Sequence, residues 1–136
     1  MFHQKTTQNA IAAMSRLAEL YGDGVSPTLA SSRDIAESRS LPAPLVAKIL
    51  TELSRGGLVT GSPGPGGGYK LAKSPREITL YHVVQLFERD AKSACPYGPG
   101  WCGNHEPCPL HHSMLALQQI QQDFLKNTNF GVFVGK

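Results

Sequence analysis

No apolar run in this chain approaches the roughly 18 residues needed to cross a bilayer as a helix, and the opening MFHQKTTQNAIAAMSRLAEL lacks the basic leader and unbroken apolar core of a secretory signal. A cytoplasmic chain without a membrane partner is the expectation. There is no Cys-x-x-Cys redox pair, no glycine-rich phosphate loop followed by Lys and Ser or Thr, and no pair of carboxylates placed for acid–base work. The sequence therefore predicts no enzyme. Charge is sparse as well: 13 Lys and Arg against 10 Asp and Glu leave a formal +3, which permits an acidic partner without requiring one. Cysteine is limited to three residues, all within 95–108. An odd number so crowded makes a poor disulfide framework, and metal or redox chemistry is favoured over stapling. What remains, 136 residues of which 40% are hydrophobic, is enough for one compact domain or for a small domain with one extended element.

Helical spacing of Ile11, Met14, Leu17, Ala18 and Tyr21 predicts a first helix, capped by Thr6 or Thr7 and stopped by GDGVSP. Ser31 or Ser32 caps a short second helix over RDIAESRS. LPAPLVAKILTELSRGG reads as a third, entered at its prolines and left at Gly56 and Gly57. LVTGS and GYKLAK are two strands joined by PGPGG, a hairpin with a proline- and glycine-rich tip. REITLYHVVQLFERD returns to helical spacing through Leu80, Val83, Val84 and Phe87. After a cysteine-rich loop, PLHHSMLALQQIQQDFLKN sets Leu110, Met114, Leu117, Ile120 and Phe124 along one stripe of a long helix. The tail TNFGVFVGK has no clear pattern. The fold class is mainly α with a small β wing. Residues 1–90 form a winged helix-turn-helix, 91–112 the cysteine loop, 110–127 a dimerisation helix and 128–136 a tail. The apolar stripe on the long helix predicts a homodimer, since a lone terminal helix would leave it in water.

Two short helices joined by a tight turn and followed by a hairpin place the second helix of the pair as a reader of the DNA major groove. On that helix Leu45, Ile49, Leu50 and Leu53 supply the buried face, while Ala43, Pro44, Lys48, Thr51 and Arg55 are exposed candidates for phosphates and base edges. Arg33 and Ser40 flank it, and Gly66, Tyr69 and Lys70 of the hairpin complete the DNA-facing set. Seven basic residues, Arg33, Arg39, Lys48, Arg55, Lys70, Lys73 and Arg76, concentrate positive charge in this half. The competing reading is an ordinary solvated surface.

The stretch CPYGPGWCGNHEPCPLHH holds every cysteine and three of the five histidines, with the spacing Cys-x6-Cys-x5-Cys-x2-His through Cys95, Cys102, Cys108 and His111. Thiolates are soft ligands that select zinc, copper or iron–sulfur clusters, and imidazole accompanies them at many such sites. Two metal readings stay open on chemistry alone, because three cysteines and one histidine also complete a tetrahedral structural zinc site. Free thiols in a loop are the third reading. His3 and His82 read as surface or capping residues, and Trp101 as a lid over the loop. A metal-dependent interaction module without DNA binding, or a thiol redox enzyme using Cys102 or Cys108 as nucleophile, would account for the cysteines but not for the basic half.

DIAESRSLPAPLVAKILTELSRGGLV, PGPGGGYKLAKSPREITLYHVV and the three-cysteine loop before a long helix together resemble the winged-helix regulators of the Rrf2 type, over nearly the whole chain. The resemblance implies a homodimeric transcriptional regulator of duplex DNA with a palindromic operator, more often a repressor. It also implies long helices that cross at the dimer interface and an iron–sulfur cluster that tunes DNA affinity. By position Cys95, Cys102 and Cys108 match the cluster cysteines. His111 matches the histidine that completes a two-iron two-sulfur cluster in one branch, with His112 an equally near spare. Three places depart from the family pattern. Cys95 and Cys102 are separated by six residues instead of five, Pro63 stands where the wing usually carries a minor-groove arginine, and Gln8 stands where the nitric oxide sensing branch recruits an acidic ligand. The last weighs against a four-iron four-sulfur cluster, the alternative to the two-iron form.

Overall fold

The computed structural model describes residues 4–22, 28–88 and 109–134, with His111 described through its backbone. Helix α1 (Lys5–Tyr21) lies at the centre: Ala10, Ala13, Met14, Leu17 and Ala18 are buried, and the small side chains let neighbouring elements approach closely. It starts at Gln4, which makes no side-chain cap, ahead of the threonines expected to cap it. Thr7 instead lies inside the helix with its side chain buried.

Helix α2 (Ser32–Arg39) begins in a capping box. The Asp34 backbone N–H donates to Ser31 Oγ and the Ser31 N–H to the Asp34 carboxylate, both at 3.1 Å. The Ser31 N–H, and after it the Ser31 hydroxyl, hold the Asp34 carboxyl below its ordinary value. At the other end Ser40 takes the left-handed conformation (φ 56°, ψ 46°), and the Leu41 N–H closes back on the Ala36 carbonyl at 2.9 Å. Helix α3 (Ala43–Arg55) follows at once, with Pro42 as its cap and Pro44 in its first turn. Its buried stripe is Val46, Ile49, Leu50 and Leu53. Leu45, expected in that stripe, is half-buried on its flank, because the i, i+3, i+4, i+7 spacing is satisfied from position 46.

Strands β1 (Val59–Ser62) and β2 (Gly68–Leu71) pair antiparallel with Val59 opposite Leu71 and Ser62 opposite Gly68. The hairpin is tied through β2 to the segment just ahead of α2, where Ala30 and Tyr69 exchange backbone hydrogen bonds of 3.1 and 2.8 Å. Position 68 must be glycine for this approach, since a Cβ there would lie 2.8 Å from the Ala30 backbone.

The single helix expected over 76–90 is divided. Ser74 caps a 3-10 turn, Pro75–Glu77, and helix α4 (Leu80–Glu88) starts only after Thr79. Thr79 and His82 form a reciprocal cap: the His82 N–H donates to Thr79 Oγ1 at 3.3 Å and the Thr79 N–H to His82 Nδ1 at 3.0 Å. His82 is thus a capping residue, as expected. Helix α5 (His111–Asn127) buries only Leu125 fully within the described chain. The segment after it, silent in the sequence, is stitched into the core. The Leu80 N–H donates to the Thr128 carbonyl and the Phe130 N–H to the Ile78 carbonyl, each at 2.9 Å, and the Phe130 ring is fully buried. Among the described residues no helix is long and apolar enough to cross a membrane.

Candidate nucleic-acid interface

The α2–turn–α3 pair and the β1–β2 hairpin form a winged helix-turn-helix, and α3 carries its exposed residues on one line. Pro44, Lys48, Thr51 and Arg55 are all exposed and follow one another at helical spacings, opposite the Val46, Ile49, Leu50 and Leu53 face. Lys48 has no hydrogen bond or ion pair among the described residues and is free to meet a phosphate or a guanine edge. The Thr51 hydroxyl donates to the Ala47 carbonyl at 3.0 Å, leaving its oxygen as an acceptor on the outer face. Arg55 pairs with Glu52 at 3.0 Å, but the side chains are 73% and 50% exposed, so the pair exchanges readily for another anion.

The remaining candidates separate by burial. Arg33 is exposed at the start of α2 and Ser40 in the turn, whereas Ala43 is half-buried and packs on the core. On the wing Lys70 is half-exposed. Tyr69 turns its ring onto Gly61 and the core, so its contribution is to hold β2 in place. Gly66 is exposed with φ +77°, a conformation suited to glycine, and the Gly67 N–H closes the tip on the Gly64 carbonyl at 3.0 Å. The tip from Pro63 to Gly67 carries no cation.

Arg39 departs from the expected basic surface. Its guanidinium faces α1, donating from Nη2 to Glu19 at 2.9 Å and to Ser15 Oγ at 3.0 Å. For Glu19, burial works to raise the carboxyl, and the hydrogen bonds and charges of Arg39 and Arg16 outweigh it and hold the group below its ordinary value. Sequence reasoning counted Arg39 with the surface cations; its partners lie on another helix, which no local pattern displays.

Cys95, Cys102, Cys108, Trp101, His105 and His3 lie outside the described residues. His111 opens α5 directly after the turn at Pro109 and Leu110, and His112 is exposed beside it. At the other end of the cysteine segment, the Glu88 carboxylate at the close of α4 accepts a hydrogen bond of 3.1 Å from the Gln4 N–H. The chain therefore leaves α4 beside the first turn of α1, the turn that carries Gln8.

On α5, Leu117, Ile120 and Phe124 form an exposed apolar stripe, Ile120 at 66% and Phe124 at 57%, which Leu110 at the cap continues. Met114 is half-buried at its margin.

Comparison with known proteins agrees with this architecture. The Rrf2 family model, described as an iron-dependent transcriptional regulator, matches residues 3–136. An HTH-type transcriptional regulator sequence of Aquifex aeolicus is 35% identical over 131 residues, covering 94% of this chain and 88% of that one. The regulator IscR of Klebsiella pneumoniae is 28% identical over 101 residues, which are 74% of this chain and 62% of that protein. Among solved structures, CymR, the global cysteine regulator of B. subtilis, superposes with a TM-score of 0.77 at 19% identity, covering 96% of this chain and 93% of that one. T. potens IscR superposes at 0.71 and 22%, covering 96% and 83%. These relatives are transcriptional regulators, not enzymes.

Proposed function

The chain belongs to the Rrf2 family of DNA-binding transcriptional regulators, and from that premise we propose that it acts as a homodimer on a palindromic operator, as a repressor whose affinity is set by an iron–sulfur cluster on Cys95, Cys102, Cys108 and His111. The observation that carries the DNA-reading part is the α3 line of Pro44, Lys48, Thr51 and Arg55, exposed beside a wing that is hydrogen-bonded to the same helical unit. In this reading Lys48 and Arg55 contact phosphates or guanine edges, Thr51 accepts from a base, and Lys70 and the Gly66 backbone follow the duplex from the wing. Without a cation at its tip, the wing supplies backbone contacts and no arginine in the minor groove.

Two-fold symmetry comes from α5. Its uncovered stripe of Leu117, Ile120 and Phe124 suits burial against the same stripe of a second copy. Leu117→Glu with Ile120→Glu then yields a folded monomer, read by sedimentation, that binds DNA weakly; an unfolded product would assign the stripe to intrachain packing.

The donor chemistry suits the cluster: three soft thiolates and one imidazole within one short segment. When bound, such a cluster supplies a group that responds to iron, oxygen, nitric oxide or redox poise. The chain's own contribution is placement. Cys108 immediately precedes the turn into α5 and His111 begins that helix, so ligation by both ties the helix end to the cysteine segment. The imidazole must be neutral to serve, which makes occupancy pH-dependent. The test is anaerobic purification followed by a visible spectrum and by iron, acid-labile sulfide and zinc assays on one sample, with DNA binding before and after chelation. Cys102→Ser abolishes the visible absorption and His111→Ala shifts or weakens it. An unchanged spectrum in His111→Ala moves the fourth ligand to His112, His105 or Gln8. Stoichiometric zinc without sulfide replaces the cluster by a structural zinc clamp.

A further inference from the structure

Arg39 ends α2 one residue before the left-handed Ser40 and four before α3 begins. Its guanidinium reaches across to α1 with all the geometry of a fork. Nε donates to the Ala12 carbonyl at 3.3 Å and to Ser15 Oγ at 3.2 Å, and Nη2 donates to Ser15 Oγ at 3.0 Å and to Glu19 at 2.9 Å. Glu19 is held in turn by Arg16 at 3.2 Å, and the Ser15 hydroxyl by the Ala12 carbonyl at 2.6 Å. A cation with its charge already answered by Glu19 and its donors directed inward is poorly placed for a phosphate. It is well placed to fix the last turn of α2, and with it the turn from which α3 departs.

We infer that Arg39 is a positioning residue for DNA recognition: by clamping the end of α2 to α1 it sets the orientation at which α3 meets the duplex, without touching DNA. This rests on the reading of α3 as the recognition helix. An unclamped α3 samples several orientations of which only some dock, and apparent affinity falls in proportion to the competent fraction. The planar fork is essential to the role, because a lysine ammonium keeps the charge but cannot span the three acceptors in one geometry.

The experiment compares Arg39→Lys, Glu19→Gln and Lys48→Ala with the wild type. The probes are a duplex selected by the wild-type protein from a randomised pool and a scrambled duplex of equal length, each titrated over a range of salt. Arg39→Lys preserves net charge and Glu19→Gln raises the formal +3 by one. Both are expected to lose about tenfold in affinity for the selected duplex, as when the competent fraction drops to about a tenth, with the scrambled duplex bound as before and with an unchanged salt slope. A phosphate contact by Arg39 predicts the opposite: Arg39→Lys binds normally and Glu19→Gln binds both duplexes more tightly. A merely structural role predicts equal losses on both duplexes, in step with the folded fraction from circular dichroism. Either result overturns the inference. If Arg39→Lys does not fold, Glu19→Gln, at a partly exposed position, decides the matter alone. Lys48→Ala separates the premise from the inference. Unchanged affinity and salt slope in that variant remove α3 as the reader, whereas a loss there with native binding by Arg39→Lys and Glu19→Gln removes only the clamp.

Discussion

Replacing Phe130 with alanine tests whether the C-terminal segment is part of the core. The ring is fully buried, stands 5.9 Å from the Phe133 ring centroid, and is fixed by the bond from its own N–H to the Ile78 carbonyl. Truncating a buried phenylalanine to alanine costs about 3 to 5 kcal/mol, the lost transfer energy plus the cavity left behind. A 136-residue chain has a total stability of about 7 to 20 kcal/mol at about 0.05 to 0.15 kcal/mol per residue. Phe130→Ala is therefore expected to fold but to unfold much sooner. In urea, with a slope of about 1 to 3 kcal/mol per molar, the midpoint should fall by about 1 to 5 M. The measurement is made at one protein concentration, since association adds to apparent stability. Val132→Ala, two residues away at a site 54% exposed, is the control and should change stability by about 0.5 kcal/mol or less. A Phe130→Ala loss below about 1 kcal/mol, indistinguishable from the control, would mean that the segment is merely laid against the fold and would refute the reasoning.

Glu52→Gln removes the only carboxylate paired with the reader's Arg55 among the described residues, and is expected to tighten DNA binding about two- to fivefold, the range of an exposed ion pair; unchanged affinity in a fluorescence titration would place Arg55 away from the phosphates. Ser40→Gly relieves the one described non-glycine residue at positive φ and should raise stability by about 0.5 to 1 kcal/mol, seen as a higher melting temperature. The depressed Asp34 and Glu19 carboxyls stabilise the fold fully above the ordinary carboxylate values of 3.8 and 4.5, and that stability is lost as the pH falls through their lower folded values. Asp34→Asn, which removes the titrating carboxyl that accepts from the Ser31 N–H, should flatten this acid dependence; an identical pH profile would show that the capping box does not carry it.

The elements with a local signature were legible. Ser31 and Asp34 announce the start of α2, Pro42 and Pro44 the start of α3, and the glycines its end and the wing tip, because each acts within four residues of itself. What escaped was long-range. Phe130 sits in a short tail with no period to read, and its burial depends on a carbonyl at Ile78 that only the folded chain brings near. Arg39 looks like any surface cation until Ser15 and Glu19 arrive from another helix. Leu45 was expected on the buried face of α3, and its neighbour Val46 takes that place while Ile49, Leu50 and Leu53 are buried as expected. Ser74 and Pro75 broke the expected fourth helix by offering its first residues a tighter turn of their own. Of the four proposed ligands Cys95, Cys102, Cys108 and His111, only the backbone of His111 falls within the described residues, so the cluster chemistry is read from the spacing of the ligands.

The backbone bonds between Ala30 and Tyr69 carry a consequence for the operator itself. They join the wing's second strand to Ala30 just ahead of α2, so that, with α3 as the proposed reader, the spacing between wing and α3 is held by the protein. A duplex whose groove width differs from that distance must itself bend or twist to be gripped. The energy of doing so depends on the stiffness of the intervening base steps. Operator preference would then extend to base pairs that no side chain reaches, and substitutions at flexible pyrimidine–purine steps between the two contact points would alter affinity without removing a single hydrogen bond.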